Sequence, residues 1–192
     1  MLDSGPTTPG ISLQEKQLDY LIYDDRLDGS RPKGNFWSMQ VGEDTPITTA
    51  VQRTIARANL SGGGKIRTLI LMCHGIEDNG IGGYGLLFCN EDLTQNTVHM
   101  LSPLKGKLEK IVLLACSAAH TAVQGGEGDG ELLCKRMARA TGAWVKASTY
   151  RQEYVTWSLS KGFGNDFGDF EGDCWWFDPS GTRKYKADLT TW

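Results

Sequence analysis

Two apolar runs limit what this chain can fold into. Leu69 to Gly75 reads LILMCHG, and Ile111 to Ser117 reads IVLLACS. Neither run alternates apolar with polar residues. A strand with one wet face alternates with a period of two, so an unbroken apolar strand belongs in the middle of a sheet covered on both faces. Each run also stops at a reactive side chain. The first ends at His74 followed by Gly75, the second at Cys116.

The flanking segments supply the rest of such a sheet. Leu18 to Asp24 (LDYLIYD) predicts a first strand, Ile66 to Cys73 a second, Ile111 to Ala115 a third and Ala143 to Thr149 a fourth. Thr45 before Pro46 fits an N-cap followed by proline at the first helical position, and Ile47, Val51, Ile55 and Ala58 recur at helical spacing. Glu131 to Ala140 predicts a second helix, with Leu133, Met137 and Ala140 on one face and Gly142 as its cap. Asp25 to Asp44, Gly75 to Gly85 and Thr121 to Gly130 are rich in glycine and polar residues and read as loops. Thr97 to Leu104 has room for a helical turn. Trp175 to Phe177, a turn at Asp178 to Gly181, and Thr182 to Lys186 read as a hairpin. Strands alternating with helices predict an α/β fold: a mostly parallel sheet with helices on both faces, and a small C-terminal β-hairpin appended to it. Residues 1–17 read as a flexible lead, and residues 18–192 as a single domain.

Composition removes several function classes. With 192 residues, 40% of them apolar, the chain can bury a sizeable core. A net charge of −3 gives no footprint for nucleic acid or an anionic membrane. No apolar run nears the roughly 20 residues that span a bilayer. The start of the chain lacks the basic-then-apolar layout of a secretory signal. The five cysteines (Cys73, Cys89, Cys116, Cys134, Cys174) are odd in number and irregularly spaced, which predicts free thiols in a reducing compartment such as the cytoplasm. Leaderless delivery into another cell is compatible with the same features. There is no C-x-x-C pair, and His74, His99 and His120 show no ligand spacing, so neither metal nor cofactor is expected.

The chemistry is therefore sought where the strands end. In an open parallel sheet, sites form beyond the carboxyl ends of the strands. His74 and Cys116 both stand there, on strands expected to be neighbours. A thiol is a good nucleophile once its proton is removed; a histidine within reach removes it and later protonates the leaving group. Small residues follow each, and they leave main-chain N–H groups free to meet an oxyanion. Taken singly, a histidine ending a strand is more often a hydrogen-bonding group, and a cysteine in an apolar strand is more often core. The ordered pair is much rarer than either part. Cys73 should point to the opposite face from His74. His120 is a rival base if the residues after Cys116 are helical. Glu77 and Asp78 are candidate orienters of His74. Thr121 to Gly130 is either a processing loop or an ordinary surface loop.

LILMCHG and LLACS, with His74 and Cys116 42 residues apart, resemble the histidine and cysteine blocks of the caspase-like cysteine peptidases. The segment GELLCKRMARATGAWVKAST resembles bacterial members of that superfamily, and the resemblance runs from about Leu18 to Thr149. It implies a distant bacterial-type peptidase acting on a protein or peptide. In it His74 is the general base and acid, Cys116 the nucleophile, and the N–H groups of Gly75 and Cys116 the oxyanion donors. The glycine that caspases carry after the cysteine region is absent: the chain reads Leu114-Ala115-Cys116-Ser117-Ala118. The resemblance also points to the loops that line the substrate pocket. Arg31 and Arg151 there favour an acidic residue before the cut, whereas Asp24 and Asp25 favour a basic one. Two other classes remain: a silent caspase-like interaction or regulatory module, and an acyl hydrolase. No G-x-S-x-G or G-x-C-x-G elbow supports the latter.

Overall fold

The computed structural model describes residues 18–27, 37–152 and 170–187. Nine strands and two α-helices are present among them, with one 3₁₀ helix. The strands β1 (Leu18–Asp24), β3 (Ile66–Met72), β6 (Leu108–Leu114) and β7 (Trp144–Ser148) run parallel through the middle of a seven-stranded sheet. Its order is β2-β1-β3-β6-β7-β8-β9, with β2 (Trp37–Val41) parallel at one edge. At the other end β8 (Cys174–Phe177) and β9 (Arg183–Lys186) continue the sheet antiparallel. The C-terminal hairpin is thus part of the main sheet and not an appendage to it.

The uniform apolarity of the central strands has the expected cause. Leu69 and Leu71 are buried on one face, and Ile70 and Met72 on the other. Buried residues of α1 (Ile47–Asn59), the 3₁₀ helix (Val98–Leu104) and α2 (Gly130–Thr141) all join the first face. The second face packs Leu21, Ile70, Val112 and Trp176 with Leu27, Phe170 and Ala187. Among the described residues, then, helices cover one face rather than both. None of these helices is long and apolar enough to cross a membrane.

Helix ends follow local chemistry, with one substitution of partner. Asp129 caps α2 by accepting from Leu132 N–H at 2.9 Å, and Gly142 closes it in the left-handed region (φ +65°). Thr45 does not cap α1. Its hydroxyl accepts from Gly42 N–H, and Ile47 N–H donates instead to the Glu91 carboxylate at 2.8 Å. An acceptor from a distant loop takes the part expected of a neighbour.

Two expected loops contain strands. β2 lies within the segment read as a long loop after Asp24. The glycine-rich stretch after His74 is an antiparallel hairpin, β4 (His74–Asp78) with β5 (Ile81–Leu87). Its turn is Asn79-Gly80, both at positive φ (51° and 77°), as the tight turns favoured by hairpin twist require.

Candidate active site at the ends of β3 and β6

The two central strands are in register up to their last pair, Met72 with Leu114. Cys73 N–H then donates to Leu114 O at 3.2 Å. His74 and Cys116 each follow this last pair by two residues, so both leave the sheet at the same level. From there the chains stay in contact. A Cβ added at Gly75 would overlap the carbonyl oxygen of Cys116, and one added at Gly82 would overlap the Ser117 side chain. The β4–β5 hairpin therefore lies directly against the turn that carries the thiol. Gly75 and Gly82 are set by that close approach rather than by looseness.

The turn itself departs from ordinary backbone. Ser117 sits at φ +50°, the left-handed region that disfavours a residue with a Cβ by roughly 1 kcal/mol. Two hydrogen bonds tie the turn to the end of β7, Ser117 N–H to Tyr150 O at 2.7 Å and Ala119 N–H to Ser148 O at 2.8 Å. Residues 116–119 form this turn and no helix, so the spacing that made His120 a rival base does not apply.

Cys116 is half-buried. Its thiol donates to Gln152 O at 3.3 Å and accepts from Gln152 N–H at 3.4 Å. Burial pushes the thiol above its usual range, and Glu77 and Glu171 add to this. The Gln152 N–H and the Arg151 guanidinium act in the opposite direction. Cys73, beside His74 in sequence, is fully buried in the core, and burial raises its thiol well above the usual range.

His74 opens β4, half-buried, with Nε2 3.1 Å from the main-chain oxygen of Arg26. A carbonyl can only accept, so Nε2 carries the hydrogen and the neutral ring keeps its lone pair on Nδ1. Among the described residues no hydrogen bond joins His74 to Cys116. The orienter is a backbone group, and neither Glu77 nor Asp78 takes that part. Asp78 accepts from Asn79, and Glu77 pairs with Arg151.

The candidate pocket charges separate. Asp24 is fully buried and receives Arg26 through a fork, Nε to Oδ1 and Nη2 to Oδ2, both at 2.8 Å. It also accepts from Cys89 N–H, and Arg26 donates to Cys89 O at 2.9 Å. This network raises the Arg26 guanidinium above its usual range, chiefly through the Asp24 hydrogen bonds. Asp24 thus anchors the turn whose carbonyl meets His74, with both carboxylate oxygens engaged. Asp25 is exposed and accepts from Gln40. Arg151 is exposed and paired with Glu77 of β4, which lowers that carboxyl. Arg31 lies outside the described residues.

The Gly75 N–H stays outside the β4–β5 ladder. Leu86 exchanges both main-chain bonds with Leu93 at 2.9 Å, so its polar groups face away from β4. That makes Gly75 with Leu86 a non-bonded pair of the β4–β5 ladder, and the Gly75 N–H points away from β5. The segment 121–130 is folded around the Asp129 carboxylate, which accepts from Thr121 Oγ1 at 3.0 Å and Gly125 N–H at 2.8 Å. Among the described residues no group of three or more His, Cys, Asp or Glu is placed to hold a metal ion.

Sequence reasoning missed Arg26, Gln152 and Glu171. The first two meet His74 and Cys116 through main-chain groups, which leave no side-chain signature. No protein-family model matches this chain, and no curated protein matches it, so the site is read from its own geometry.

Proposed function

We propose that the protein is a cysteine endopeptidase of caspase-like type, with His74 and Cys116 as its dyad. The observation that carries this reading is the packing of Gly75 on the Cys116 carbonyl beyond two strands in register. It keeps the backbone segments that carry a histidine and a thiol in contact at the carboxyl edge of a parallel sheet, where α/β sites form.

In this reading His74 Nδ1 takes the thiol proton as the sulfur attacks the carbonyl carbon before the cut. The N–H groups of Gly75 and Cys116 meet the developing oxyanion. Collapse breaks the C–N bond, and the imidazolium gives its proton to the departing amine. A thioester remains. Water attacks it with His74 as base, releasing the acid and restoring the thiol. Arg26 O holds the ring in the tautomer this requires. No cofactor takes part, and the reaction calls for a reduced thiol. Near the thiol the charges are exposed Arg151 and Glu171 and the partly buried Glu77, since Asp24 is committed to Arg26.

A second reading, a silent module of the same fold, is favoured by one observation: the thiol hydrogen-bonds to Gln152 and not to His74. The two are separated by incubating the parent and Cys116→Ala proteins with a peptide library varied before the cut, under reducing conditions. Cleavage lost in the alanine form supports the peptidase. No cleavage by either supports the module. An acidic preference before the cut points to Arg151, a basic one to Glu77.

A further inference from the structure

The segment Tyr150–Gln152 leaves the end of β7 and runs along the Cys116 turn. It is held there at four places. Tyr150 O accepts from Ser117 N–H. Arg151 pairs with Glu77. The Gln152 main chain brackets the sulfur. The Gln152 side chain is largely buried and makes three bonds: Nε2 to Tyr150 O at 3.1 Å, Nε2 to Glu171 O at 3.0 Å, and Oε1 from Glu171 N–H at 3.1 Å. A glutamine that matches both main-chain groups of another residue acts like one rung of a ladder. It fixes where its own backbone lies.

That position opposes nucleophilic chemistry. The S–H points at the Gln152 carbonyl, which cannot take a proton, while attack needs the proton to pass to His74. Once ionised, the sulfur would face the carbonyl oxygen at 3.3 Å, lone pair against lone pair. The Gln152 N–H favours the thiolate but does not remove that clash. The sulfur is freed when the Gln152 peptide moves away.

We infer that Tyr150–Gln152 is a strap that keeps the Cys116 thiol latent, latched by the Gln152 side chain on the Glu171 main chain and by the Arg151–Glu77 ion pair. The inference names the regulation of the site proposed above, and it rests on that reading for what is being regulated. A polypeptide substrate has to displace the strap, or find it already displaced, before the thiol can attack. The two latches differ in strength. Each net hydrogen bond of the glutamine shifts an opening equilibrium by about fivefold. The exposed ion pair shifts it by about two- to fivefold.

The test is the rate at which iodoacetamide alkylates Cys116 at neutral pH, with the Cys116→Ala protein giving the background from the other four thiols. Gln152→Ala removes the stronger latch without changing charge. It should alkylate at least about tenfold faster than the parent while remaining folded. A rate equal to or below the parent's overturns the strap. If Gln152→Ala does not fold, Arg151→Ala together with Glu77→Gln decides: each breaks the ion pair, their effects on thiol ionisation have opposite sign, and both should alkylate about two- to fivefold faster, whereas opposite changes in the two variants overturn the strap. The Arg151 side chain is 69% exposed, and losing a cation near the thiol slows ionisation, so a faster rate in Arg151→Ala can come only from release. Peptide cleavage by the same proteins separates this inference from the peptidase reading. Faster alkylation without cleavage leaves the strap standing and removes the peptidase. Cleavage with alkylation unchanged in the variant does the reverse.

Discussion

Gly75 lies so close to the carbonyl of Cys116 that the space has no room for a methyl group. The contact joins the histidine strand to the cysteine turn through backbone alone. Alanine at this position must push β4 off the turn. Overpacking of this kind costs about 1–3 kcal/mol, a fall of about 3–10 °C in melting temperature for a chain of this size. Displacing His74 by even an ångström should also lower kcat/KM by about 100-fold in the proposed reaction. Thermal melting and peptide cleavage of Gly75→Ala check both. A parent-like melt would mean that the turn yields easily.

Asp24 should be a stability residue rather than a specificity residue. Asp24→Asn leaves the Arg26 guanidinium with only the more distant Asp92 carboxylate, 3.6 Å away, beside a fully buried position. Removing one partner of a buried pair costs about 3–5 kcal/mol, and the partial exposure of Arg26 puts the expected loss near the lower figure. Urea unfolding measures it. A shift in the residue preferred before the cut, with stability unchanged, would restore Asp24 to the pocket.

All five thiols are raised by burial, Cys89 and Cys174 up to about 12. The sign follows from proton counts. Above the ordinary thiol range near 8.5 the unfolded chain releases protons that the folded one retains, so stability present at neutral pH is lost as pH rises toward the folded values. Each ionising thiol contributes a slope of up to about 1.4 kcal/mol per pH unit. Urea midpoints under reducing conditions should hold between pH 7 and 8 and fall steadily from 8.5 to 10. A flat profile to pH 10 would contradict the burial of these thiols.

Ser117 occupies a left-handed position without being glycine. Ser117→Gly relieves roughly 1 kcal/mol of backbone strain but frees the unfolded chain by a similar amount, so stability should change by less than about 0.5 kcal/mol. Ser117→Val has no such offset. A branched side chain at this φ, facing Gly82, should cost about 2 kcal/mol or more. Chemical denaturation of the two variants gives the comparison. Equal stabilities would mean that the turn changes conformation to suit its residue.

Which features are legible in the sequence divides along a physical line. β3 and β6 are legible because burial on both faces abolishes alternation, and a short run such as LILM between polar segments fits a central strand. α2 is legible from its apolar spacing and Gly142. β2 is not: a five-residue edge strand, WSMQV, shows too little alternation to stand out among glycine, proline and charge. The β4–β5 hairpin is hidden by its own glycines, which weaken strand propensity, although Gly75 and Gly82 are demanded by the Cys116 turn. The Asn79-Gly80 pair is the signal available there. Within the candidate site, His74 and Cys116 can be found because their side chains are the chemically reactive types ending two apolar runs. Arg26 and Gln152 act through main-chain atoms that any residue type supplies. The partner of Asp24 is not legible either, because a carboxylate ending a strand looks the same whether it awaits a ligand or already holds an arginine two residues on.

The bonds from Ser117 to Tyr150 and from Ala119 to Ser148 also set an order of assembly. A nascent chain that has emerged only as far as α2 already contains both His74 and Cys116. It lacks the two carbonyls that tie the cysteine turn. Until β7 and the residues just after it are made, the thiol has no fixed surroundings, and when they arrive they bring Gln152 with them. The piece that completes the Cys116 turn is thus also the piece that covers its sulfur, and the latch on that cover closes only when Glu171 follows.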